Sequence, residues 1–138
     1  MNLALQGLTP QIVALESQMR AMGCTNDLPV EHYQIEGVYV RSLFIPQGTV
    51  LTGKIHNKEN IAILAHGTIR INRGDKMVTL SAPQIMVDKA GVKRVGLAIT
   101  DCTFINVCRT DKIDIAEIEE ELVCDTFEEF ENKLLGAL

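Results

Sequence analysis

Hydrophobic and polar positions repeat along this chain with two different periods, and the change of period divides it into three parts. Between residues 9 and 22, Ile12, Val13, Leu15, Met19 and Met22 recur at helical spacing. Thr9 suits an N-cap and Pro10 the first helical position, where a missing N–H costs nothing. Arg20 falls in the last turn and Gly23 supplies a left-handed stop, after which Asn26-Asp27-Leu28-Pro29 reads as a turn. From Tyr33 the period drops to two: Ile35, Gly37, Tyr39, Arg41 and Leu43 alternate with Glu36, Val38, Val40 and Ser42, as in one strand. Further β-type runs are predicted at 49–56, 60–71, 77–80, 84–87, 93–99 and 103–108, separated by turn-forming residues. Short strands at this spacing indicate an antiparallel sandwich or barrel. After Thr110 the helical period returns with Ile113, Ile115, Ile118 and Leu122 among acidic residues. Asp125 followed by Glu128 predicts the start of another helix carrying Phe127, Phe130, Leu134 and Leu135.

Composition changes this picture little. With 138 residues, 46% hydrophobic and 22% charged, the chain suits one globular domain and not a disordered segment. No apolar run reaches the length of a membrane span and no basic-then-apolar leader is visible, so no membrane association is expected and a cytosol is the expected setting. Cys24, Cys102, Cys108 and Cys124 lack the paired spacing of zinc or redox sites and read as buried, reduced side chains.

Charge is more informative in its distribution than in its total. The formal net charge of −5 argues against nucleic-acid binding. Residues 1–40 carry −3, residues 41–94 carry +6 and residues 95–138 carry −8. A basic middle between acidic ends can attract an anion, or the ends themselves, within one chain or between chains.

One local motif misleads. Gly48-Thr-Val-Leu-Thr-Gly53-Lys54 has phosphate-loop spacing, but Ile55 stands where a Ser or Thr is needed, and the segment continues as strand. The same residues fit a different frame. Gly48, Lys54, His56, Asn60 and Gly67, followed by Asp88-Lys89-Ala90-Gly91-Val92-Lys93-Arg94, match the two motifs of the cupin superfamily in spacing. The resemblance runs from Leu43 to Val107 and implies a mainly β fold: a cupin-like double-stranded β-helix, or antiparallel barrel, at 33–110, with an N-terminal helical arm (1–32) and an acidic helical tail (111–138).

The departures from the motif carry the functional expectation. Lys54 stands at the first metal-ligating histidine, Asn60 at the glutamate and Arg94 at the last histidine, so only His56 remains of the four donors. Lysine and arginine offer no lone pair in their charged forms and repel a metal ion. No metal and no cofactor are therefore expected. Lys54, His56, Asn60 and Arg94 are expected instead to converge as a site for a small anionic ligand, or to pair with a carboxylate such as Glu59 or one from the tail. His66 is expected at an exposed rim, and His32 shows no partner.

The wording of Leu43–Gly53, the Lys54-Ile55-His56 triplet, Ala90–Gly96 and the acidic tail resembles small cupin-like proteins of tailed bacteriophages. That resemblance implies an oligomeric accessory or virion-associated protein, in host cytoplasm or virion, and brings no reaction with it. The leading expectation is a non-catalytic homo-oligomer that binds a small anion or assembles with virion proteins, its arm and tail being natural elements for exchange between chains. The alternatives are a metal-dependent cupin enzyme with a rearranged site, using His56 with His66 or a carboxylate, and a purely structural virion component.

Overall fold

The computed structural model describes residues 8–25 and 27–136, so part of the turn expected at Asn26–Pro29 lies outside the described residues. Helix α1 spans Thr9–Ala21 and ends as the sequence predicts: Gly23, at a φ of 79°, donates its N–H to Arg20 O, and Cys24 donates to Met19 O. Its start differs. Thr9 is the first helical residue, with its side chain buried and giving no cap, and Leu8 occupies the N-cap position. Pro10 lies one position further in, still among the N–H groups that have no helical acceptor.

The β region forms two antiparallel sheets. One has five strands in the order β1 (Val30–Ile35), β2 (Val38–Ile45), β10 (Cys102–Arg109), β5 (Asn60–His66) and β8 (Gln84–Asp88). The other has four, in the order β3 (Val50–Thr52), β9 (Val95–Ala98), β6 (Thr68–Arg73) and β7 (Lys76–Ser81). Between them lies an apolar core of Ile45, Leu64 and Cys102 from the first sheet and Ile69, Ile71 and Ala98 from the second.

Three predicted strands are broken in ways that matter. The single strand read from Tyr33 to Leu43 is a hairpin, β1 and β2, joined at Glu36 and Gly37 with Ile35 paired to Val38. The two-residue turn preserves the alternation in sequence while exchanging the faces it refers to. The run at 60–71 is two strands in different sheets, because the chain crosses over at Gly67. A Cβ there would come within 2.1 Å of Asp101 O, and φ is +89°, so glycine is required on both counts. The run at 49–56 divides into β3 and β4 (Ile55–His56), separated by Gly53 and Lys54.

The acidic tail packs against its own barrel. Asp114 caps α2 (Ile115–Leu122) by accepting from Glu117 N, while Ile113 lies outside the helix and is exposed. Ile118 and Leu122 rest on Tyr39 and Cys108. The terminal carbonyls of α2 are taken up by the barrel and by α3 (Phe127–Gly136): Asn57 N donates to Leu122 O at 2.8 Å and Lys133 Nζ to Glu120 O at 2.5 Å. A strand the sequence does not announce, β11 (Val123–Cys124), then pairs with β4. Helix α3 begins one residue later than expected, with Thr126 and not Asp125 accepting from Glu129 N at 3.1 Å. Its Phe127 and Phe130 bury against Ile55 and Cys124, whereas Leu134 and Leu135 are exposed.

Candidate functional site

Inward-facing positions of the five-stranded sheet change from apolar to polar along the barrel axis. Leu43, Ile45 and Phe104 face inward at one end. At the other, Arg41 on β2 pairs in register with Asn106 on β10, which pairs with Ala62 on β5, and Ala62 with Met86 on β8. A cavity of about 390 Å³ opens beside Arg41 and Asn106. Its polar lining includes Arg41, Lys54, His56, Asp88, Arg94, Asn106 and Glu119, and its apolar lining includes Leu43, Ile45, Leu51, Ile69, Ile71 and Phe104.

The sequence-predicted residues reach this cavity unequally. Lys54 does not share a strand face with His56; it sits in the break before β4, lines the cavity mouth, and is half exposed with its ammonium 3.6 Å from Asp125. It therefore pairs with the tail, as one of the two sequence readings allows. His56 lines the cavity, and its backbone oxygen accepts from Gly91 N at 2.8 Å. Burial, reinforced by Arg41 and Arg94 against an opposing pull from Asp88, holds its imidazole below the usual value, so it is neutral at pH 7.

Arg94 lines the cavity but is already engaged. Its guanidinium donates to the Asp88 carboxylate, which is 2% exposed, and to Asn72 O. Asn72 fixes the segment by donating to Lys93 O and accepting from Val95 N, both at 2.9 Å. Asn60 is not part of the lining. It opens on a second cavity with Lys58 and Glu121, and its side-chain oxygen accepts from Asn106 Nδ2 at 2.8 Å. Asn60 thus acts on the central cavity only through Asn106. Its own Nδ2, like Arg94 Nε, is buried with no partner among the described residues.

Arg41 is the residue that sequence reasoning passed over. It forms no hydrogen bond or ion pair with any described residue, although every other cationic side chain of the cavity wall does. Its position in the alternating series with Tyr39 and Leu43 was the available signal, since an arginine on an inward face needs a counter-charge. Asp88, likewise unassigned from sequence, balances Arg94. Glu59, named from sequence as a candidate counter-charge, pairs with Lys89 instead, at 3.2 Å. His32 has a partner after all, Nδ1 lying 2.6 Å from the hydroxyl of the buried Tyr39.

The donors do not suit a divalent cation. His56 offers a neutral nitrogen and Asp88 a carboxylate, but that carboxylate is held by Arg94, and Arg41 adds an uncompensated positive charge beside them. Among the described residues no three His, Cys, Asp or Glu side chains are grouped as ligands. His66 is exposed at the end of β5 remote from Asn60, which removes it from any grouping with His56.

No protein-family model matches the sequence, and no curated protein is significantly similar to it. Solved structures do match. A cupin superfamily protein from Desulfitobacterium hafniense is 11% identical, with a TM-score of 0.52 over 62% of this chain and 80% of that one. An RmlC-like cupin with a double-stranded β-helix fold from Methanocaldococcus jannaschii is 18% identical, with a TM-score of 0.51 over 63% and 84%. The salicylate 1,2-dioxygenase of Pseudoaminobacter salicylatoxidans is 10% identical, with a TM-score of 0.57 over 83% of this chain and 34% of its own. Identities this low speak for the fold alone, and that fold is the double-stranded β-helix of the cupin superfamily.

Proposed function

We propose that this protein is a binding module that retains a small anion in its barrel without transforming it. The observation that carries the reading is Arg41, a cation on the cavity wall that forms no ion pair or hydrogen bond with any described residue. A half-buried guanidinium whose donors are not engaged by the protein is free to bind an anion that enters the cavity. Isothermal titration calorimetry with the sodium salts of carboxylates, sugar acids, phosphate and nucleotides tests the proposal. At least one anion is expected to bind one-to-one in the millimolar range or tighter, and to be lost in Arg41→Met. Heats indistinguishable from dilution across the panel, or binding that survives Arg41→Met unchanged, would overturn it.

Self-association belongs to the same reading, and the outer face of the five-stranded sheet supports it. Tyr33, Val40, Val107, Ile61 and Val87 align in register across all five strands, and Ile105, Ile63 and Ile85 form a second row beside them. Tyr33, Ile85 and Val87 are each more than half exposed. The first row carries no charge, so it can oppose itself across a two-fold axis without repulsion. Light scattering after gel filtration is expected to give a dimer or larger species, with Val87→Asp shifting it to monomer. A monomeric wild-type chain would end this part of the proposal. The phage-type setting stays part of it too, on the wording of residues 43–53; recovery of the chain at fixed copy number from purified particles would support an assembly role.

A further inference from the structure

We propose that the anion is a monocarboxylate with an apolar tail, gripped at its head by Arg41. The inference rests on the anion-binding reading and specifies its ligand. Charge limits the head group. Arg94 is neutralised by Asp88, His56 is neutral at pH 7, and Lys54 stands half-solvated at the mouth opposite Asp125. Arg41 is the cavity cation left without an ion-pair partner among the described residues, and Glu119 and Asp88, which also line the cavity, disfavour the further negative charge that a phosphate or a tricarboxylate would bring. The planar fork of a guanidinium matches the two oxygens of a carboxylate.

The rest of the cavity lining includes Leu43, Ile45, Leu51, Ile69, Ile71 and Phe104, of which Leu43 and Phe104 follow Arg41 and Asn106 along the barrel axis. Such a wall has nothing to offer a sugar hydroxyl or a phosphate oxygen, whereas an alkyl or aryl group gains from leaving water. About 390 Å³ holds a chain of several carbons as well as the carboxylate. Polar and apolar surfaces adjoin in one cavity, so one ligand has to satisfy both.

Calorimetric titration of the full chain with straight-chain carboxylates from acetate to decanoate reads this directly. Affinity is expected to rise about threefold per added methylene until the cavity is full, then to level off, with a stoichiometry of one. Arg41→Gln is expected to weaken hexanoate by tenfold or more while retaining the wild-type circular dichroism spectrum. Leu51→Phe, which adds bulk to the apolar wall, is expected to shorten the preferred chain. Affinity independent of chain length, or phosphate and citrate binding more tightly than hexanoate, would overturn the carboxylate assignment but leave anion binding in place. Several decanoates per chain with no response to Arg41→Gln would mean adsorption to the exposed sheet, and would also overturn it. If no anion of any class binds, both readings fall.

Discussion

Two side chains of the cavity wall respond to proton concentration in ways that follow from their surroundings. Burial keeps the His56 imidazole neutral in the folded protein below the ordinary value of 6.5, so the unfolded chain takes up that proton first. Stability contributed here is therefore full above that value and declines as pH falls through it. Thermal melts between pH 7 and 5.5 are expected to lose several degrees in the wild type and less in His56→Gln; equal losses would show that the imidazole is not the responding group. Cys108 faces the same region, and burial raises its thiol to about 11, so it has almost no thiolate at neutral pH. Cys24 is exposed, whereas Cys102, Cys108 and Cys124 are buried. Iodoacetamide at pH 7.5 is expected to label Cys24 first and the other three only on addition of denaturant, a distinction that mass spectrometry reads per residue.

Among the elements, α1 carries an ion pair to the barrel beside its buried Ile12. Glu16 accepts from Lys93 Nζ at 2.7 Å and from Thr52 Oγ1 at 2.6 Å, and the Lys93 side chain is 2% exposed. Partial burial opposes ionisation of Glu16, but the two hydrogen bonds and the charges of Lys93 and Arg20 outweigh it and hold the carboxyl below its usual range. Its stabilising contribution is present above the ordinary carboxylate range and is lost as pH falls through the lowered folded value. Glu16→Gln strands a buried ammonium and is expected to cost about 3 kcal/mol in urea unfolding, whereas Glu16→Leu with Lys93→Met is expected to recover most of it. Gly67→Ala is expected to cost at least about 3 kcal/mol, since the new methyl meets backbone that cannot move without parting the two sheets.

The elements also show what could be read from residue order. Helices α1 and α2 and strands β7, β8 and β10 were legible because each has one apolar face and a turn at each end. The β1–β2 hairpin was not, because residue parity runs unbroken through Gly37 while the side chains change faces. In consequence Ile35 points outward, whereas Tyr39, of the same parity, points inward. Strand β11 could not be foreseen, since two residues carry no period and gain their hydrogen bonds from a partner far away in sequence. The same distance hid the site. Alternation placed His56 near the cavity, but whether Lys54, Asn60 and Arg94 face it depends on which carboxylates and amides the fold brings beside them. Those neighbours, Asp125, Asn106 and Asp88, lie on other elements.

At the scale of the whole molecule, the charge division has a structural counterpart. The acidic tail lies on the basic barrel, with Lys58 2.8 Å from Glu121 and Lys54 near Asp125, and α1 contributes Glu16 from the other acidic end. In this arrangement the tail stays on its own chain, so exchange between copies is unnecessary to bury its apolar stripe. These surface pairs are screened by salt while Phe127 and Phe130 are not. Raising sodium chloride from 0.05 to about 1 M is expected to leave the tail protected from protease, whereas Phe130→Ala is expected to release it and cost about 3 kcal/mol.

Pairing of β4 with β11 also imposes an order on biosynthesis. His56 and its strand partner Val123 are separated by sixty-seven positions, so the nascent chain completes both large sheets before it can clamp the imidazole in place. Until translation passes Leu122, Tyr39 and Cys108 remain uncovered, and until it passes Phe130 so does Ile55. A ribosome stalled over the acidic codons would therefore hold up an intermediate with exposed apolar surface, a natural client for chaperones.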